Sequence, residues 1–371
     1  MKTVHDGFLA TIVCLAGLSS AAEPEVVLRL PPFQGNPRNS EGDFVQLTDG
    51  RILFVYTRFT GGGGVHDQAD LVSRVSTDQG RTWSDEDLIV VANEGQWNVM
   101  SVSLLRLADG RIAIFYCRKN SLTDCRPVVR FSTDEAVHWS DPVEIIPEEQ
   151  VGYHVLNNDR VVQLSSGRLV APIALHNRPG WAKPDWNGEI ACYLSDDGAM
   201  TWRRSQTSQQ AHDADGKRMV AQEPGVVELN DGRLLLWIRT NAGEQYRSFS
   251  TDGGETWSPL HPMGIASPVS PATIERIPKT GDLLLVWNNH AHLPPAERKA
   301  RTPLSVAISS DEGETWNHVK TLEDDPHGWY CYTAMAFADD HLLLGHCAGD
   351  RRTGGLNLTQ ILRVPIRWLY E

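Results

Sequence analysis

Six stretches of the chain repeat one pattern, in which an apolar run meets a tight polar turn and a second apolar run follows. They read VQLTDGRILFVYTRF, LLRLADGRIAIFYCR, VVQLSSGRLVAPIAL, VVELNDGRLLLWIRT, IERIPKTGDLLLVWN and MAFADDHLLLGHC. Asp-Gly or Ser-Gly between β-rich runs is a strong hairpin signal, because glycine enters the left-handed region at little steric cost. The expected turn glycines are Gly50, Gly110, Gly167, Gly232 and Gly281, with Asp340-His341 in their place in the sixth.

A second repeat runs out of phase with the first. STDQGRTW stands at 76–83, STDGGETW at 250–257 and SSDEGETW at 309–316, with weaker copies SDDGAMTW at 195–202 and STDEAVHW at 132–139. Serine and aspartate at these positions bond to their own turn's backbone, and tryptophan supplies packing area. Most hairpins lie roughly sixty residues apart, with one further strand and one such turn between them. Each unit therefore holds about four strands, as one propeller blade does. The pattern predicts an all-β chain, a six-bladed β-propeller of four-stranded antiparallel blades. EVVLRL at 25–30 is expected to complete the last blade and remove its open edge.

Composition narrows the function. The chain has 371 residues and a net charge of −13, which argues against nucleic acid and anionic membranes as partners. Any anion site must be a local cluster of arginines. Lys2, the apolar stretch from Phe8 to Leu18 and the small residues Ser20, Ala21 and Ala22 read as a secretory leader. The expected organisation is a signal peptide over 1–22 and one propeller over 23–371, secreted or periplasmic. No later segment is long and apolar enough to span a bilayer. The cysteines after the leader, Cys117, Cys125, Cys192, Cys331 and Cys347, match no zinc spacing. They read as small buried hydrophobes, with a Cys117–Cys125 bridge as the alternative. No metal, phosphate-loop or nucleotide motif is present, so no cofactor is expected.

In a propeller, the innermost strand of each blade faces the central channel. The residues before each hairpin or after its second strand form a polar set: Arg38, Glu41, Asp43, Arg58, Asn98, Ser101, Ser103, Arg118, Asn157, Asn158, Asp159, Arg160, Glu223, Arg239, Ser270, Tyr330 and Tyr332. So many buried polar groups require water or a polar ligand. Asn158, Asp159 and their neighbours suit the hydroxyls of a sugar.

The repeated S-x-D-x-G-x-T-W turns on a six-unit pattern resemble the Asp-box (BNR-repeat) sialidase superfamily over nearly the whole mature chain. The resemblance implies a glycan substrate and a tyrosine nucleophile, because a carboxylate nucleophile would be repelled by the substrate's own carboxylate. It also implies a glutamate base, an aspartate acid/base and three arginines holding the substrate carboxylate. QEPGVVELNDGRLLLWIRT resembles the glutamate strand and points to Glu223 and Arg239. RTPLSVAISSDEGETW points to Arg301. YCYTAMAFADD resembles the nucleophile strand and favours Tyr332 over Tyr330. The loop GGGGVHDQAD points to Asp67.

The chain departs from the family in its first unit. PRNSEGDFVQL places Ser40 where the first arginine belongs. Arg38, two residues away, is the substitute on the same strand face, and Glu41 and Asp43 bring negative charge beside it. Three readings stay open. The first is an exo-acting retaining hydrolase removing a terminal sialic acid. The second is an enzyme of this fold acting on a uronic acid or another sugar. The third is a glycan-binding propeller without catalysis.

Overall fold

The computed structural model describes residues 22–371; residues 1–21, which carry nearly all of the expected leader, lie outside the described residues. The described chain is all-β apart from short helical turns such as Ile366–Tyr370. Strands Arg38–Gln46, Ile52–Phe59, Ala69–Ser76 and Leu88–Val91 form one antiparallel sheet in chain order. Gln222–Glu228, Leu234–Arg239, Glu244–Ser250 and His261–Ala266 form another. Thr273–Arg276, Leu283–Asn288, Leu304–Ser309 and Asn317–Glu323 form a third. The strands between Asn98 and Arg204 make one nine-stranded sheet, whose two parts meet through a single parallel bridge between Cys125 and Tyr153.

The last sheet takes Gly328–Ala338, His341–Asp350 and Thr359–Pro365 from the end of the described chain and Glu25–Leu30 from its start. Glu25 lies opposite Arg363, and Leu30 opposite Thr359. The strands opening the sheets touch one another. Arg38–Gln46 meets both Asn98–Arg106 and Gly328–Ala338, and Thr273–Arg276 meets both Gln222–Glu228 and Gly328–Ala338.

Apolar clusters lie between successive sheets. Val45, Leu53 and Val55 pack with Val102, Ile112 and Ile114. Ile190 and Cys192 pack with Val226 and Leu236. Phe44, Phe54 and Tyr56 pack with Leu30, Leu343 and Ile361, joining the first sheet to the last.

The repeated turns explain themselves in hydrogen bonds. In the copy at 76–83, the Gly80 amide donates to Ser76 Oγ at 2.8 Å, and Thr82 Oγ1 donates to Asp78 Oδ2 at 2.7 Å. The copies at 250–257 and 309–316 repeat both contacts. The glycine also sets how close sheets approach: a Cβ on Gly80, whose φ is +80°, would stand 2.6 Å from the Leu343 side chain of the last sheet.

The sixth hairpin differs from expectation. Asp339, at φ 50°, takes the left-handed position, and His341 already belongs to the next strand. The cysteines are all free thiols among the described residues, and the Cys117–Cys125 bridge is not formed. Instead Cys125 Sγ donates to the His154 carbonyl at 3.3 Å and Cys117 Sγ to the Leu156 carbonyl at 3.3 Å. No helix among the described residues is long and apolar enough to cross a membrane.

Two measurements check this packing. Gly80→Ala meets both the strained φ and the Leu343 contact, and lowers unfolding free energy by about 2–3 kcal/mol in urea titration. Gly50→Ala, at φ +87° with nothing closer than 3.9 Å, costs only about 1 kcal/mol. The second measurement is the acid limb of stability. Burial lowers the pKa of His346 from 6.5 to about 4. A depressed folded pKa means that the unfolded chain binds the proton first. The stability from His346 is therefore present above pH 6.5 and lost as pH falls towards 4. His346→Gln flattens that limb; an unchanged slope contradicts the assignment.

Candidate active site

Four of the opening strands carry a β-bulge, and each bulge holds a non-glycine residue at positive φ. The register breaks between Ser40 and Asp43, Met100 and Ser103, Gln222 and Gly225, and Cys331 and Ala334. The residues at positive φ are Glu41 at 51°, Ser101 at 65°, Glu223 at 51° and Tyr332 at 55°. A left-handed conformation costs such residues about 1–2 kcal/mol. All four side chains line one cavity of about 180 Å³. The extra residue in each strand re-aims one side chain out of the alternating pattern.

Two of these bulges are tied together from the third unit. Asn158 Nδ2 donates to the Gly42 carbonyl at 3.0 Å and to the Tyr332 carbonyl at 3.1 Å.

Within the cavity, Tyr332 Oη donates to Glu223 Oε1 at 3.2 Å. The other Glu223 oxygen lies 2.7 Å from a guanidinium nitrogen of Arg239. Gln222, directly across the strand pair from Arg239, accepts from its guanidinium and fixes its direction. Arg301 stacks its guanidinium over the rings of Tyr332 at 5.4 Å and Trp329 at 5.2 Å. One buried Arg301 nitrogen has no hydrogen-bond partner among the described residues.

Burial, and then the Glu223 charge, push the Tyr332 phenol above its ordinary pKa, against the opposing pull of Arg301 and Arg239. The phenol is therefore neutral near neutral pH and needs a base to release its proton. Burial works against the Arg301 charge, but Cys331, Tyr332 and Glu223 outweigh it and hold its pKa above the ordinary value. This set can deliver a phenolate oxygen at the moment of bond formation and hold an anion beside it.

The model of the BNR repeat-like domain family matches residues 59–344. The chain belongs to the BNR repeat-like family. A sialidase of Micromonospora viridifaciens is 26% identical over 378 residues, covering 88% of this chain and 55% of its own length. The chain thus spans about half the length of that relative. Among solved structures, the NanB sialidase of Streptococcus pneumoniae has a TM-score of 0.70 at 16% identity, covering 94% of this chain and 72% of its own. The leech intramolecular trans-sialidase has a TM-score of 0.71 at 16% identity, covering 95% and 71%. This BNR repeat-like chain shares their fold.

Of the residues expected at the site, Tyr332, Glu223, Arg239 and Glu41 meet in the cavity. Arg38 lies behind Glu41. Its guanidinium donates to Glu41 Oε1 at 3.2 Å and Ser40 Oγ at 3.1 Å, and stacks on Phe59. Asp67 stands on the expected loop, but its carboxylate accepts from the Gly64 amide at 2.7 Å, closing its own turn.

Six expectations are corrected by placement. Arg58 pairs with Asp87 and Asp70 on its own sheet. Arg118 pairs with Glu144. Tyr330, directly opposite Ala348, packs towards His346 instead of lining the cavity. Asp43 and Asp159 fall in a second cavity nearer the hairpin turns, with Arg160 and Glu275. The bulge after Ser40 is the reason for Asp43, since it puts Glu41 and Asp43 out of simple alternation. Burial, together with the neighbouring acids, raises the pKa of Asp43 and Glu275. Asn158 ties backbone instead of facing the cavity.

Sequence reasoning missed Lys119, Tyr153, His176 and Trp186, which line the same cavity. Trp186 had a signal, because it is 50% exposed on a proline- and glycine-rich loop.

Asn158→Ala removes both backbone ties. It lowers unfolding free energy by about 2–3 kcal/mol, read by urea titration. A loss below about 0.5 kcal/mol means the bulges hold without it.

Proposed function

We propose that this chain is a retaining, exo-acting glycoside hydrolase of the sialidase type, on a six-bladed propeller, that removes a terminal acidic sugar of the sialic acid class. The contact between Tyr332 Oη and Glu223 Oε1 carries the reading. Tyr332 attacks the anomeric carbon while Glu223 takes its proton. The glycosidic bond breaks, and an acid protonates the departing oxygen. Water then attacks the tyrosyl glycoside, giving its proton to the same carboxyl group now acting as base, and Glu223 returns a proton to Tyr332. Two displacements restore the original configuration.

The substrate carboxylate lies towards Arg239 and Arg301, and a buried Arg301 nitrogen without a hydrogen-bond partner among the described residues supports this placement. Arg38 is not available to it while bonded to Glu41. Asp67 is the proposed acid/base and must give up the Gly64 amide to reach the sugar. Export to the periplasm or beyond, after cleavage near Ala22, belongs to the same proposal; N-terminal sequencing of the exported protein tests it.

A second reading, hydrolysis of a uronide or another glycoside, is supported by Glu41, a carboxylate in the same cavity as Tyr332 that disfavours a sugar with its own carboxylate on the anomeric carbon.

Turnover of a fluorogenic sialoside beside a panel of uronides and other glycosides separates the two. Under the main reading the sialoside is cleaved, and Tyr332→Phe and Glu223→Gln each lower kcat/KM by about 10²–10⁴-fold with the fold intact. Asp67→Asn slows natural, poor leaving groups far more than the activated fluorogenic one, while Glu41→Gln does not show that split. Turnover confined to another glycoside supports the second reading. Absence of turnover on every glycoside sinks both.

A further inference from the structure

Lys119 is a buried cation in the cavity wall with no acid beside it. It belongs to strand Ile112–Ser121, is only 5% exposed and lines the cavity with Tyr153, Glu41 and Ser101. Its ammonium has three hydrogens to donate. One goes to the Val65 carbonyl at 3.3 Å, and the Tyr153 ring faces it at 5.6 Å. Among the described residues no carboxylate lies within ion-pair distance of it. The acids of this cavity are committed elsewhere: Glu41 to Arg38 and Ser101, Glu223 to Arg239 and Tyr332. A buried ammonium without a counter-charge costs several kcal/mol. Lys119 and Arg301 are thus cations with no carboxylate at ion-pair distance among the described residues, on the second and fifth repeat units, with Tyr332 on the sixth.

The cavity lip beside Lys119 suits a sugar ring. Trp186 presents its exposed indole there, edge-on to Tyr153 at 5.8 Å between ring centres. His66 donates to or accepts from Tyr153 Oη at 3.1 Å. His66 and His176 both have lowered pKa values, chiefly from burial, so neither adds charge at neutral pH.

We propose that Lys119 receives a second anionic group of the ligand, a carboxylate or a sulfate ester, so that the preferred substrate carries two acidic groups. The proposal rests on the reading of this cavity as a glycan site. One acid meets Arg239 and Arg301 beside the nucleophile, and the other meets Lys119, with the sugar between them along Trp186. Lys119 also braces the 61–67 loop through Val65, but Asn98 Nδ2 donates to the same Val65 carbonyl at 3.1 Å and to the Asp67 carbonyl at 2.7 Å, so the loop keeps its ties in Lys119→Gln.

Calorimetric titration of Tyr332→Phe protein, which holds ligand without turnover, tests this. The probes are matched sugars bearing one or two acids: sialic acid and its O-sulfated form, and glucuronic acid and its O-sulfated form. A dicarboxylated sugar separates carboxylate from sulfate. The doubly acidic member of a pair binds about 10–100-fold tighter, as one charged hydrogen-bond pair allows. Adding Lys119→Gln brings the pair within about 3-fold, and Lys119→Arg keeps most of the difference. Equal binding of both members, equal weakening of both by Lys119→Gln, or no binding at all overturns the proposal. Glycoside turnover by the unsubstituted protein is scored separately. A Lys119-dependent preference without any turnover leaves this inference standing and removes the catalytic one; turnover without the preference does the reverse.

Discussion

The sheets of this chain are apolar on both faces, and neither face can be left in water. Leu234, Leu235 and Leu236 are successive residues of one strand, so they point alternately to two sides, and all three are buried. Each sheet therefore needs a neighbour on both sides. The first sheet meets this need by packing Phe44 and Phe54 on Leu343 and Ile361 of the last. The strands that open the sheets are brought together as a result, and the site is made where they meet. Distant segments, around residues 41, 101, 223 and 332, converge because sheet packing leaves them no other place.

Bulges turn that convergence into a usable site. A regular strand would send alternate residues into the neighbouring sheets and leave backbone facing the centre. One additional residue in the left-handed region tips a side chain inward at Glu41, Ser101, Glu223 and Tyr332. The strain is offset by the surrounding ladders and by bonds such as those from Asn158. The phenol is thereby held next to a carboxylate, itself held by a guanidinium, in surroundings dry enough to strengthen each interaction.

Much of the fold was legible because it is written in local chemistry that repeats. Turn glycines, Ser-x-Asp turns and apolar runs are short-range signals, and they locate hairpins and the outer turns residue by residue. The closing role of Glu25–Leu30 was readable because the chain shows six hairpins but five repeated turns, which leaves the last unit short of a strand. The site was legible only in part. Tyr332, Glu223 and Arg239 followed from the family resemblance, whereas position on the inner strand before a hairpin placed Asp43 and Asp159 with them. Bulges carry no fixed residue pattern, so a one-residue shift in register was invisible. Arg58 and Arg118 were misplaced because their acid partners come from elsewhere in the same unit, Asp87 from just before the strand Leu88–Val91 and Glu144 from the strand Val143–Glu144. Lys119 was missed because Val65, its hydrogen-bond acceptor among the described residues, lies on a loop from another unit.

The pairing of Glu25–Leu30 with Thr359–Pro365 has a kinetic side. More than three hundred residues separate the two strands, so the contact carries a large loop-closure entropy. Until it forms, Thr359–Pro365 is a bare edge, ready to accept a strand from any chain nearby. Crowded refolding therefore puts this seam in competition with intermolecular pairing, and the last sheet is where self-association begins.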